Sequence, residues 1–282
     1  MKCMPGLSLL STLVVTLLLG ACALSPYQPQ WGAKSSSLLD EQLAKVSAEV
    51  ARAPADERVL IYLGFAMNSQ SKAFQGDVLL GQKTFGALNP HFASVVLSDE
   101  LQTSELTYPF ATQATVEKTF TEVGKLVKGR RAAAVVLIST HGDVDFLSIN
   151  IAKRYFQPIR PFELATWLDE LGETPTLVIL SACYSGSFIN ALKSPNRVIF
   201  TAAAADRSSF GCTFESRNTY FVETLLGSDF SGQLMLQPWF AQTRKAIDAK
   251  EKSLGLSPPS NPQASILGGT ASWMTVQTLL GK

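Results

Sequence analysis

The sequence predicts an α/β sandwich of three layers around a mainly parallel sheet. Apolar runs of strand length alternate with segments of helical period, the pattern that builds such layers. The strand runs are apolar at successive positions, as expected for strands covered by helices on both faces. The chain of 282 residues is 46% hydrophobic and 17% charged, a globular composition that supplies one sizeable core and argues against disorder.

The elements follow in order. Residues 23–37 are rich in Ser, Pro and Gln and are expected to form a tether. In residues 38–52, Leu39, Leu43, Val46 and Val50 recur at helical spacing, which predicts an amphipathic helix ending before Pro54. Strands are expected at 59–66 (VLIYLGFA), 93–97, 132–140 (AAAVVLIST), 176–182 (TLVILSA) and 197–202. Helical patterns lie between them at 76–88, 112–128, 161–171 and 185–193, followed by 218–227 and 235–254, with a last strand over 263–275. No internal repeat or boundary divides residues 57–282, which read as one domain.

The first residues are an address rather than part of the fold. Lys2, an apolar run too short to span a bilayer and small residues before Cys22 have the layout of a signal peptide. Leu19-Gly20-Ala21-Cys22 resembles the bacterial lipobox, which implies a lipidated Cys22 as the first mature residue and a membrane partner reached through that anchor. The same resemblance, with Ala23 rather than Asp next, implies an envelope protein held at the outer membrane and facing the periplasm. Removal of residues 1–21 takes away Lys2 and no acid, so the mature chain is charge-balanced and nucleic acid is not an expected partner. The four cysteines and two histidines lack the paired spacing of a zinc site, so neither metal nor cofactor is implied.

Two strands end on reactive side chains. AAAVVLIST runs into His141-Gly142, and TLVILSA into Cys183-Tyr184-Ser185-Gly186. Ligands of open α/β sheets bind outside the carboxyl ends of the strands, so neighbouring strands would bring this imidazole and thiol together. An imidazole can take the thiol proton or pair with the thiolate, and a strand-to-helix turn favours the anion. The amides of Gly142 and Cys183 are candidates for an oxyanion hole.

Ser139-Thr140-His141-Gly142, then Ser181-Ala182-Cys183-Tyr184-Ser185-Gly186-Ser187, then the stretch from Thr201 to Cys212 and Asn218-Thr219-Tyr220 resemble the legumain-like cysteine peptidases of family C13, which have the caspase-hemoglobinase fold. The resemblance runs from about Arg58 to Met274. It implies Cys183 as nucleophile, His141 as general base, the Gly142 and Cys183 amides as oxyanion donors, and Ser208, Ser209 and Glu223 at a substrate pocket. Ser181 stands at the position of a further pocket acid, and the loop from Met67 to Gly76 lacks the family's arginine, so a weaker demand for Asn before the cut is expected. Asn68 and Ser71 are the candidates to orient His141.

Other polar residues read more plainly. His91 is expected on a surface loop, Cys212 as a packed thiol, Asp206 and Arg207 as a solvated pair, and Asp143 and Asp145 either at the cleft border or in a solvated turn. The expected activity is that of a lipid-anchored cysteine endopeptidase acting on a protein or peptide through a thioester. A transamidase using the same thioester and a non-catalytic envelope lipoprotein are the alternatives.

Overall fold

The computed structural model describes residues 30–99, 106–227, 229–266 and 274–281. The leader and Cys22 lie outside them. The chain runs through α1 (Gln30–Arg52), β1 (Val59–Ala66), α2 (Lys72–Gly86), β2 (Phe92–Ser98), α3 (Gln113–Val127), β3 (Ala132–Ser139), β4 (Gly142–Asp143), β5 (Phe146–Ile151) and β6 (Arg154–Ile159). Then follow α4 (Pro161–Asp169), β7 (Thr176–Ser181), a 3-10 turn (Ser185–Phe188) leading into α5 (Ile189–Leu192), β8 (Arg197–Thr201), α6 (Tyr220–Leu225), α7 (Leu236–Ser253), β9 (Gln263–Ile266) and α8 (Val276–Leu280).

The main sheet has the order β2-β1-β3-β7-β8-β9, parallel except for β9. β1, β3, β7 and β8 are buried along their whole length, and the reason is visible in the two cores. Val59, Ile61, Leu63 and Phe65 pack with α1, α3, α4 and α5, whereas Leu60, Tyr62 and Ala66 pack with α2, α6, α7 and α8. Successive strand residues point to opposite faces, so a strand covered on both sides must be apolar throughout. The three-layer α/β class expected from the sequence is the architecture found.

Several boundaries differ for local reasons. α1 starts at Gln30 rather than Leu38 because Trp31 packs on Phe110, with ring centroids 6.3 Å apart, and the buried Ser35 hydroxyl accepts the Phe110 amide at 2.9 Å. Those two residues carry the buried face through a stretch whose composition resembles a tether. α2 begins four residues early because Ser71 caps it, accepting from the Ala73 amide at 3.2 Å. Residues 185–193 break into a 3-10 turn and α5 instead of one helix. The last strand is described only as β9, and Thr275 caps α8, which was not expected, by accepting from the Thr278 amide at 3.0 Å.

A second sheet, β4-β5-β6, was also not expected. Its β5–β6 turn is Ala152-Lys153 with φ of 51° and 66°, so it has the backbone of a tight hairpin without the Gly or Asn that marks one in sequence. His91 sits near the amino-terminal edge of the main sheet, between Glu49 and Glu57 at 3.2 Å each, more enclosed than a surface loop residue. Its carbonyl accepts from Leu60 at the start of β1.

Candidate active site

β3 and β7 are direct neighbours, and their register pairs Ser139 with Ser181. His141 and Cys183 each follow two residues later, so both leave the sheet at the same edge and level. The Thr140 amide continues the ladder to the Ser181 carbonyl at 3.1 Å. Beyond it the two segments touch: a Cβ placed on Gly142 would lie 2.6 Å from the Cys183 carbonyl oxygen. Only glycine permits that approach.

The His141 backbone is fixed from the second sheet. Its carbonyl accepts from the Ser148 amide at 2.8 Å, and the Thr140 hydroxyl donates to the Ser148 carbonyl at 2.6 Å. The imidazole meets the Phe74 ring edge-on, with centroids 4.9 Å apart. Burial lowers its pKa, which keeps the ring neutral and able to accept a proton at neutral pH. Asn68 donates to the Ser148 hydroxyl at 3.4 Å and accepts from the Gln70 amide at 3.0 Å, while Ser71 caps α2 and donates to the Thr213 carbonyl at 2.8 Å. Both candidate orienting residues are thus engaged with the scaffold, and the ring contact comes from Phe74.

Cys183 is a half-buried free thiol whose Sγ accepts from the Ser209 amide at 3.3 Å, with the Ser209 hydroxyl 3.6 Å away. Tyr184, next in sequence, has φ of 56°, and its amide donates to the Arg207 carbonyl at 2.7 Å. That turn departs from the strand at once and leaves the thiol at the sheet edge. Gly186 packs so closely on the loop after β8 that a Cβ would lie 2.7 Å from the Ala205 nitrogen. The loop is braced in turn: the Ala204 amide donates to the Ser260 carbonyl at 2.8 Å, and buried Glu251 accepts from the Ser260 amide at 2.9 Å.

Of the residues expected at the pocket, Ser209 lies on Cys183, and half-buried Ser208 precedes it in the same loop. Ser181 does not line a pocket. It is 1% exposed, and its hydroxyl proton is shared between Asp77 at 3.3 Å and the Thr219 hydroxyl at 2.8 Å, because the last residue of β7 faces α2. Glu223 is on the exposed side of α6, paired with Lys250 of α7 at 2.7 Å, and Lys250 lies 4.0 Å above the Tyr220 ring centre. The pair joins α6 to α7. Arg207 pairs with Asp206 at 2.5 Å, as a surface pair should. Asp143 accepts from the Val144 amide at 2.7 Å, and the Asp145 amide donates to the Ser187 hydroxyl at 3.1 Å, so both belong to an ordered exposed turn. Cys212 is half-buried, and burial, then the neighbouring Cys183, raises its pKa, which keeps it a thiol.

Asp77 was not anticipated. It lies on the inward face of α2, one turn from Phe74, fully buried, and accepts five hydrogen bonds. Burial raises its pKa to about 7 against the opposing pull of Ser139, Thr219 and Asn218. The signal was present: a buried stripe of Phe74, Val78 and Phe85 with an acid inside it. α2 sits so close to the 217–219 segment that a Cβ on Gly76 would lie 1.7 Å from the Arg217 carbonyl oxygen. Among the described residues, no three His, Cys, Asp or Glu side chains converge as metal ligands.

Caspase-1 from Spodoptera frugiperda has a similar solved structure, with a TM-score of 0.51 and 15% sequence identity over 75% of this chain and 86% of that one. At that identity the likeness concerns the fold. No curated protein matches the sequence. The Peptidase C13 family profile matches residues 94–250, more than half of the chain, and within them stand β3, β7, His141 and Cys183. The chain therefore belongs to the Peptidase C13 family and is a cysteine peptidase with the caspase-hemoglobinase fold.

Proposed function

We infer that the protein is a lipid-anchored endopeptidase working through a Cys183–His141 dyad and a thioester. The observation that carries this reading is the β3–β7 register, which brings the two side chains to one edge with the Ser209 amide on the sulfur. In this reading neutral His141 takes the Cys183 proton, and Sγ adds to the scissile carbonyl carbon. The electron pair moves to the carbonyl oxygen, where the Gly142 and Cys183 amides receive it. Collapse of the adduct breaks the C–N bond, His141 gives its proton to the leaving amine, and a thioester remains. Water, deprotonated by His141, then releases the acid and restores the thiol.

The direct test is a thiol-directed electrophile with mass-spectrometric site mapping. Cys183 should be alkylated faster than Cys212, and equal rates would remove the reading. With Ser181 buried and Glu223 engaged by Lys250, the polar groups left near Cys183 from the expected set are Ser208 and Ser209. Few fixed polar partners give weak discrimination, because strong rejection comes from leaving such partners unpaired. A positional peptide library should therefore show small or polar residues before the cut, with selection for Asn below about a hundredfold, or roughly 2.7 kcal/mol. Stricter selection would contradict this pocket.

Anchoring rests on Leu19-Gly20-Ala21-Cys22. Cys22→Ser is expected to leave an uncleaved precursor without acyl label. Palmitate incorporation unaffected by the substitution would rule the anchor out.

A further inference from the structure

We propose that Asp77 is a positioning residue for the dyad, its carboxylate gathering the ends of the strands that present His141 and Cys183 together with the segment that opens α6. The proposal rests on the cysteine peptidase reading and adds a residue to it. Oδ2 receives the hydroxyls of Ser139 at 2.7 Å, Ser181 at 3.3 Å and Thr219 at 2.8 Å. Oδ1 receives the Thr219 amide at 2.9 Å and the Asn218 side-chain amide at 3.2 Å. One carboxylate thus joins β3, β7 and the cap of α6 from its seat on α2.

The placement is what gives this hub consequence. Ser139 and Ser181 stand opposite each other in the ladder and two residues before His141 and Cys183, so a shared acceptor beneath them sets the spacing of the two strand ends. The same helix presses Phe74 against the imidazole. Through Asn218 and Thr219 the carboxylate also holds the far end of the loop that starts at Ser209, whose amide covers Sγ. A buried charge costs several kcal/mol unless its hydrogen bonds repay it, and an apolar side chain would fill the site at less cost. No ion pair reaches Asp77 among the described residues, so only directed donors hold it. The titratable groups that feel its charge are Tyr62 of β1, whose hydroxyl donates to the Val78 carbonyl at 2.7 Å, and Cys212 of the loop. Protonation would make one oxygen a donor and require one of the hydroxyls to turn, slackening the junction.

The test compares the full chain with Asp77→Asn, Ser139→Ala and Ser181→Ala, each normalised to active sites titrated with a thiol-directed electrophile. Asp77→Asn should lower kcat per titrated site by about ten- to a hundredfold, the scale of a small displacement of reacting groups, with KM within about twofold. The wild-type kcat should fall as pH drops through about 7, and the variant should lose that limb. Each serine variant should lose about two- to fivefold in kcat, since each removes one of several shared donors. A merely structural role would lower the titratable fraction and leave kcat per site and the pH profile unchanged, which would overturn the proposal. If Asp77→Asn does not fold, the two serine variants decide: full kcat per site in both overturns it. A wild-type chain that neither turns over nor labels at Cys183 would overturn the cysteine peptidase reading instead.

Discussion

Cys183→Ala is expected to abolish peptide hydrolysis, by at least about 10⁴-fold, while the protein remains folded. The thiol is half-buried at a strand end, and what it loses is its contacts with Ser209: the amide at 3.3 Å and the carbonyl and hydroxyl oxygens at 3.6 Å. Removing a small side chain there leaves little cavity, so the stability cost should be about 1 kcal/mol or less. His141→Ala should lose activity on the same scale, with a larger drop in melting temperature because the Phe74 ring loses its neighbour. His91→Ala is the control: between Glu49 and Glu57 at the opposite edge, it should leave turnover intact. Hydrolysis rates with thermal unfolding of the three variants check this, and hydrolysis persisting in Cys183→Ala would sink the nucleophile assignment.

Gly142→Ala should be nearly as damaging to turnover through geometry alone. The added methyl would lie 2.6 Å from the Cys183 carbonyl oxygen, 3.2 Å from Ala182 Cβ and 3.3 Å from the Phe146 carbonyl oxygen. Two of the three obstacles are backbone, and no rotamer change relieves them. The His141-Gly142 segment has to retreat from Cys183, which separates the proposed dyad and moves a proposed oxyanion donor. A loss of about a hundredfold in kcat/KM is expected, with about 2 kcal/mol of destabilisation. Gly129→Ala supplies the contrast, since φ there is 72° but the space around it is open. It should cost about 1 kcal/mol of strain and no activity. Comparable losses of kcat/KM in both would mean that the approach at Gly142 is not what matters.

The parallel strands and the placement of His141 and Cys183 at neighbouring strand ends were legible because each depended on a one-dimensional pattern. β1, β3, β7 and β8 are apolar through their middles on both faces of the pleat, and His141 and Cys183 stand just beyond two of those runs. Direction was not legible. Ser181 and Glu223 matched a pocket by position along the chain, but one hydroxyl turns inward to Asp77 and the other carboxylate turns outward to Lys250. The Ala152-Lys153 hairpin escaped because tertiary pairing imposes a backbone that its residues do not announce. Asp77 escaped for the converse reason: a single acid within an apolar stripe looks like an interruption until its five donors, from distant parts of the chain, are assembled around it.

If Cys22 carries the proposed anchor, the early start of α1 shortens the leash. Seven residues separate Cys22 from Gln30, so an acylated Cys22 would stand within about 30 Å of the helix even with the intervening chain fully drawn out. The helix also begins on a particular side: Trp31 and Ser35 hold Phe110, which follows Pro109, whose carbonyl accepts from Ser98 at the carboxyl end of β2 at 2.9 Å. That is the edge from which His141 and Cys183 emerge. A protein moored there would turn its cutting edge toward the lipid surface and reach polypeptides at or emerging from the membrane before those in the open compartment.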